Sequence, residues 1–143
     1  MKVEIRRIHE EDYMSAAEIW RNVLDIPVTD ECLRKTYAKM DRDDRYSTFV
    51  TVADGKVVGL VTTVTALAIG HPDGYTKVNG LGVLPEYRNK GIGRMLMEQA
   101  EKTAADNGTR YIGLASGFKR EEAHSFYEHM GYHKTSYWFR KSL

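Results

Sequence analysis

Only one cysteine, Cys32, and three prolines occur among the 143 residues. A lone thiol makes no internal disulfide, so the chain has to be held by a packed core rather than by covalent staples. A dominant charge is missing as well: 21 Lys and Arg against 20 Asp and Glu give a net charge of +1. That balance lacks the basic excess that a nucleic-acid partner calls for. The longest weakly polar run, VVGLVTTVTALAIG, holds three threonines and ends in glycine. It falls short of the roughly 20 apolar residues that cross a bilayer, so no membrane span is expected. The polar start MKVEIRRIHEED has no stretch resembling a signal peptide, and with the single thiol this points to a cytoplasmic protein. Repeats, low-complexity tracts and Pro- or Ser-rich linkers are also missing. With 42% hydrophobic residues, the expectation is one domain over residues 1–143, built around one core.

What is present reads as alternating short elements. VEIRRI predicts a first strand, and Met14, Ala17, Ile19, Trp20, Val23 and Leu24 recur at helical spacing after Asp12. Thr29 or Asp30 is placed to cap a second helix running through Met40. STFVTVA and KVVGLVTTVTALAI are β-branched runs joined by Asp54-Gly55, a dipeptide suited to a two-residue hairpin turn whose central residues both take positive φ. After a loop, GHPDG, comes YTKVNGLGV, in which Val78 falls on one parity and Leu81 and Val83 on the other. Two readings fit that break: a strand buried on both faces, or a bulge near Gly80 and Gly82 where a backbone or a ligand approaches closely. Ile92, Met95, Leu96, Ala100 and Ala104 then make the apolar stripe of a helix ended by Asn107-Gly108. RYIGLAS predicts a strand, a helix from about Arg120 carries Ala123, Phe126, Tyr127 and Met130 on one face, and YHKTSYWFRK predicts a closing strand.

The stretch RNKGIGRML, residues 88–96, gathers two glycines and three cations at the start of the third long helix. The first turn of a helix exposes amide NH groups without intrahelical partners, and the helix dipole adds about half a positive charge there. Arg88, Lys90 and Arg94 add formal charge, while Gly91 and Gly93 let a phosphate oxygen reach the backbone. Two familiar phosphate loops do not match. GxxxxGK followed by Ser or Thr occurs nowhere, and both GLGVLP and GIGRML lack the third glycine of a dinucleotide fingerprint.

LGVLPEYRNKGIGRMLM resembles the acetyl-CoA signature of the GNAT superfamily, the GCN5-related N-acetyltransferases: a strand, then Arg/Gln-x-x-Gly-x-Gly/Ala opening a helix, filled here by Arg88, Gly91 and Gly93. SGFKREEAHSFYEHMGY resembles the family's C-terminal motif, with Tyr127 in a Phe-Tyr pair four residues before a Gly-aromatic pair. The resemblance implies an α/β fold of the GNAT kind: a mixed, mostly antiparallel central sheet of six to seven strands flanked by about four helices. It implies acetyl-CoA as the acetyl donor, an amine as acceptor, and transfer by direct attack in a ternary complex. Leu81, Gly82 and Val83 match the strand positions whose backbone faces the pantetheine arm and the thioester carbonyl. Arg88, Asn89, Lys90, Gly91, Ile92, Gly93 and Arg94 match the pyrophosphate loop. A strand NH near Leu81 to Val83 would stabilise the oxyanion, and Tyr127 stands where many members place the acid that protonates the leaving thiolate. Helical spacing alone reads Tyr127 as core, and a ring can pack while its hydroxyl reaches a cleft.

The resemblance supplies no general base. Where many relatives carry a glutamate on the fourth strand this chain has Asn79, an amide that orients but does not accept a proton. Nothing singles out Glu86 or His124. His129 and His133 are four apart, but Gly131 ends the helix between them, so no metal is expected. Cys32 has no base beside it in sequence, which disfavours an acyl-cysteine route. Acidic residues around Asp25, Asp30 and Glu31 hint at a cationic acceptor. Pairing into a homodimer is a further expectation drawn from the family. A non-catalytic acyl-CoA sensor or an interaction domain stands as the alternative.

Overall fold

Asp54 and Gly55 take φ of 53° and 76°, so the predicted two-residue turn forms and joins β2 (Tyr46–Ala53) to β3 (Lys56–Ala68). These strands lie in a computed structural model that describes residues 1–143. Before them run β1 (Val3–Arg7), α1 (Tyr13–Asn22) and α2 (Asp30–Asp41), and after them β4 (His71–Val83), α3 (Ile92–Asp106), β5 (Ile112–Leu114) and α4 (Glu121–His129). The chain divides into two compact units, Met1–Gly113 and Leu114–Leu143.

In the first unit the strands follow one another in the order β1-β2-β3-β4-β5, and the three pairs from β1 to β4 are antiparallel. Helix ends sit where local chemistry puts them. The Thr29 side chain accepts the Cys32 NH at 3.1 Å and caps α2. Gly91 in the left-handed region starts α3, and Gly108 at φ 77° follows its end.

Alternation along the strands sorts the core into two layers. Val50 and Leu60 pack with Ala16, Ala17 and Ile19 of α1 and with Leu33 and Tyr37 of α2. On the other face, a side chain added at Gly59 would meet Thr51 Oγ1 at 2.8 Å and Leu96 Cδ1 of α3 at 3.1 Å. Ile19, Leu60 and Leu96 are buried completely, and each contributes about 1.5–3 kcal/mol by leaving water. A sheet covered by helices on both faces is the α/β class expected from the sequence, with four helices and five strands.

Three boundaries depart from the expectation. The GHPDG stretch is not all loop: the turn is confined to Ile69 and Gly70, and β4 begins at His71. Of RYIGLAS only Ile112–Leu114 is strand. Residues 132–143 hold no strand or helix, so the predicted closing strand is absent and the sheet has five strands rather than six to seven. A strand exists only through the neighbour it bonds to, which composition does not encode.

In the second unit, α4 carries Glu121 and Glu122 in its first turn, and Gly131 at φ 93° turns the chain after it.

Candidate active site

β4 is irregular in its C-terminal half. Thr62 of β3 pairs with Gly80 and Thr63 with Val78, which leaves Asn79 as the extra residue of a bulge. The parity break between Val78 and Leu81 is this bulge. Asn79 is exposed there. The two glycines beyond it serve close packing: a side chain at Gly80 would overlap the Trp20 indole, and one at Gly82 would lie 2.8 Å from Ile19 Cγ2 and 3.4 Å from Leu24 and Val23. The close neighbour that the glycines admit on this face is α1. Leu81, Gly82 and Val83 pair with Val61, Leu60 and Gly59 of β3.

A short 3-10 turn, Pro85–Tyr87, leads from β4 into the loop before α3. Arg88 Nε donates to the Val83 carbonyl at 3.2 Å, which ties the loop back to the strand it left. Asn89 at φ 61° and Gly91 at φ 81° are both left-handed, so the chain turns twice before the helix starts. No side chain caps α3 and no acidic residue lies in its first turn. α2 and α4 differ, each with two carboxylates in that position. Arg88, Lys90 and Arg94 are exposed around the α3 terminus, and Arg94 reaches only as far as Glu98, at 3.6 Å. Open space surrounds Gly91, where an added Cβ would meet nothing within 4 Å. A helix N-terminus with positive charge around it, no competing acid and bare backbone fits an anion of phosphate type.

The predicted strand and loop residues, from Leu81 to Arg94, thus come together at one β4–α3 junction. Tyr127 belongs to the second unit. Its ring packs edge-on against Phe126 at 5.4 Å and Tyr132 at 6.0 Å between centroids. Burial pushes the Tyr127 hydroxyl above its ordinary pKa, and the charge of Arg120 opposes that rise. Nearby, His124 Nε2 lies 2.9 Å from the Gly117 carbonyl and His129 Nδ1 2.7 Å from the Ser125 carbonyl. Those contacts fix loop and helix backbone.

Sequence reading missed Trp20, whose Nε1 donates to the Tyr37 hydroxyl at 2.9 Å while its ring seats against Gly80. The signal available was a large residue on the first helix and a paired glycine on the fourth strand. A cavity of about 500 Å³ was not foreseen either. Tyr13, Tyr37, Asp41, Gln99, Lys102 and Asp106 help to line it, at the C-terminal end of α3 and away from the loop that opens that helix.

A family model, Acetyltransferase (GNAT) family, matches residues 4–132. This chain belongs to the GNAT family of acetyltransferases. A curated GNAT relative, the aminoalkylphosphonate N-acetyltransferase of Salmonella typhimurium (strain LT2), is 28% identical over 98% of this chain and 91% of its own length. A solved transcriptional regulator from Bacillus halodurans C-125 superposes with a TM-score of 0.91 at 17% identity, covering 99% of this chain and 100% of that one. An aminoglycoside N-acetyltransferase solved with CoA gives 0.86 at 16% identity, over 99% of this chain and 96% of that one. Both superpositions show the GNAT fold, and the family match makes N-acetyltransferase the enzyme class of this chain.

Proposed function

We propose that the protein moves the acetyl group of acetyl-CoA to a primary amine of a small molecule or peptide, by direct attack within a ternary complex. The observation that carries this reading is the α3 N-terminus, left-handed at Gly91, free of acids in its first turn and ringed by Arg88, Lys90 and Arg94. There the main-chain NH groups of Ile92, Gly93 and Arg94 would hold the CoA pyrophosphate, with the cations adding long-range attraction. Asn89 and Lys90 shape the turn that presents them.

In the transfer, the amine nitrogen bonds to the thioester carbon while a β4 NH at Leu81 to Val83 stabilises the developing oxyanion. As the carbon–sulfur bond breaks, the Tyr127 hydroxyl gives its proton to the sulfur. The proton lost by the amine passes to solvent, and Tyr127 regains one from solvent. Burial favours the protonated phenol, the state an acid needs near neutral pH. Asn79, exposed on the bulge, would orient the acceptor or a water rather than take its proton.

The test mixes protein, acetyl-CoA and single amines: aminoalkylphosphonates, on the strength of the 28% identical relative, then aminoglycosides, polyamines and peptides. Free thiol should be released only when the right amine is present. Binding of acetyl-CoA with silence from every amine would replace the enzyme by an acyl-CoA sensor. Failure to bind acetyl-CoA at all would overturn the proposed phosphate site.

A further inference from the structure

At the end of the sheet away from the loop that opens α3, β2 runs past its neighbour β1. Arg7, the last residue of β1, pairs with Phe49, and beyond it only the Ile8 NH continues the ladder, to the Thr48 carbonyl at 3.0 Å. The cavity of about 500 Å³ lies there, walled by Tyr46 and Ser47 of β2 and by the C-terminal ends of α2 and α3. Those 15 residues of α3 rise about 1.5 Å each, so the cavity and the candidate phosphate loop are about 22 Å apart along the helix. β3 also stands between β2 and the bulged strand β4. The acetyl transfer described above makes no use of this cavity.

Its chemistry is negative and aromatic. α2 ends here at Asp41 and α3 at Asp106, and each helix brings about half a negative charge through its dipole. Asp41, Asp43, Asp44 and Asp106 all line the cavity. Arg45 holds Asp43 at 2.7 Å and Lys102 reaches Asp106 at 3.2 Å, whereas Asp41 and Asp44 form no ion pair. The rings of the wall already receive cations: the Arg7 guanidinium lies 5.1 Å over Phe49 and that of Arg45 5.9 Å over Tyr46. A hydroxyl is also left unused beside this wall. Thr63, 2% exposed, pairs directly opposite Ser47, so the two side chains share one face of the sheet, and Thr63 Oγ1 makes no hydrogen bond. Two residues on, Thr65 Oγ1 accepts from Asn107 Nδ2 of the wall at 3.1 Å, which places Thr63 between two residues tied to the cavity. A buried hydroxyl without a partner marks room for a further polar group.

We propose that this cavity is a second binding site, for a linear diamine or polyamine, separate from the site where the acceptor amine is acetylated. Its ammonium groups would face the Asp41 and Asp44 carboxylates and the Ser47 and Thr63 hydroxyls, whose lone pairs accept from N–H, while its methylenes run along the tyrosine rings. The volume is within the about 300–1,000 Å³ of small-molecule sites. A divalent metal fits less well, because it needs several oxygens at about 2.0–2.6 Å and no three His, Cys, Asp or Glu side chains of this chain converge to hold one. Carboxylates spread along a wall suit a cation whose charges are spread along a chain.

Titration calorimetry with spermidine tests this, and amide NMR shifts report where the probe sits. Acetyl-CoA is left out, so the outcome is independent of the transfer reaction. Binding is expected, with shifts centred on Tyr46 to Thr48 and Gln99 to Asn107. D41N/D44N, at two exposed positions, should raise Kd by about tenfold or more. E4Q/E18Q removes the same charge outside the cavity and should leave Kd close to wild type. Thr63→Val keeps the shape and removes the unpartnered hydroxyl, so the free protein should not lose Tm while spermidine binds more weakly. Absence of binding at millimolar spermidine overturns the proposal, as does unchanged binding in either D41N/D44N or Thr63→Val. Equal losses in D41N/D44N and E4Q/E18Q would reduce it to general charge attraction. Shifts confined to Leu81 to Arg94, or the same cavity shifts at equal strength with Mg²⁺ alone, would also overturn it.

Discussion

The Trp20 indole lies in the space that a side chain at Gly80 would occupy, so the first helix and the fourth strand are fitted together through a missing methyl group. Nε1 of the same indole is held by the Tyr37 hydroxyl at 2.9 Å, which prevents the ring from swinging aside. Gly80→Ala should therefore overpack the α1–β4 contact and cost about 1–3 kcal/mol in chemical denaturation. Trp20→Leu in the same chain should recover part of that loss, because the smaller side chain leaves room for the new methyl. Equal losses in the single and double variants would show that the two residues are not coupled.

Gly91 separates conformation from ligand. Nothing lies within 4 Å of a Cβ added there, so Gly91→Ala meets no clash and pays only for a left-handed residue, about 1–2 kcal/mol. Gly91→Glu adds a carboxylate at the proposed anion site. With acetyl-CoA at about 100 times its dissociation constant, the wild type should gain about 2.7 kcal/mol, seen as a higher Tm. The Ala variant should keep most of that gain and the Glu variant should lose it. A full gain in Gly91→Glu would move the pyrophosphate elsewhere.

What could be read from the sequence was local. The Asp54-Gly55 turn, a cap at Thr29 or Asp30 and the end of α3 at Asn107-Gly108 are each decided within a few residues, and each was predicted and found, the cap at Thr29. The junction that gathers Leu81 to Arg94 was legible for the same reason, because strand, loop and helix follow one another directly in sequence. Even the bulge left a trace, as a break of parity at Asn79. What failed was non-local. Whether YHKTSYWFRK is a strand depends on an edge that accepts it, the start of β4 at His71 depends on pairing with Ala68, and the use of Gly80 depends on Trp20, 60 positions away.

Asp12 should make the fold sensitive to acid. Its carboxylate accepts Arg6 Nη1 at 2.6 Å, Arg6 Nη2 at 3.1 Å and the His9 NH at 2.8 Å. Burial alone would raise its pKa, but the Arg6 hydrogen bonds and the His9 NH outweigh it and leave the group below the usual aspartate value. The folded state therefore releases this proton more readily than the unfolded state. The stabilisation is complete above the unfolded aspartate pKa and disappears as pH falls through the lower folded value. Asp12→Asn should cost about 1–3 kcal/mol at neutral pH and flatten the stability curve on the acid side. An unchanged slope in that variant would assign the acid sensitivity to other carboxylates.

Tyr127 poses the sharpest test of the proposed chemistry, because its ring and its hydroxyl can be separated. The ring packs on Phe126 and Tyr132, so Tyr127→Phe keeps those contacts and removes only the oxygen. If the hydroxyl is the acid, kcat should fall by about 100-fold or more, while Tm and the KM for acetyl-CoA stay close to wild type. Burial raises the phenol pKa, so any alkaline loss of wild-type rate that reports this proton should lie above the ordinary tyrosine range, and it should vanish from the residual activity of the Phe variant. A drop in Tm with kcat intact would make Tyr127 a packing residue, and protonation of the thiolate would then fall to water.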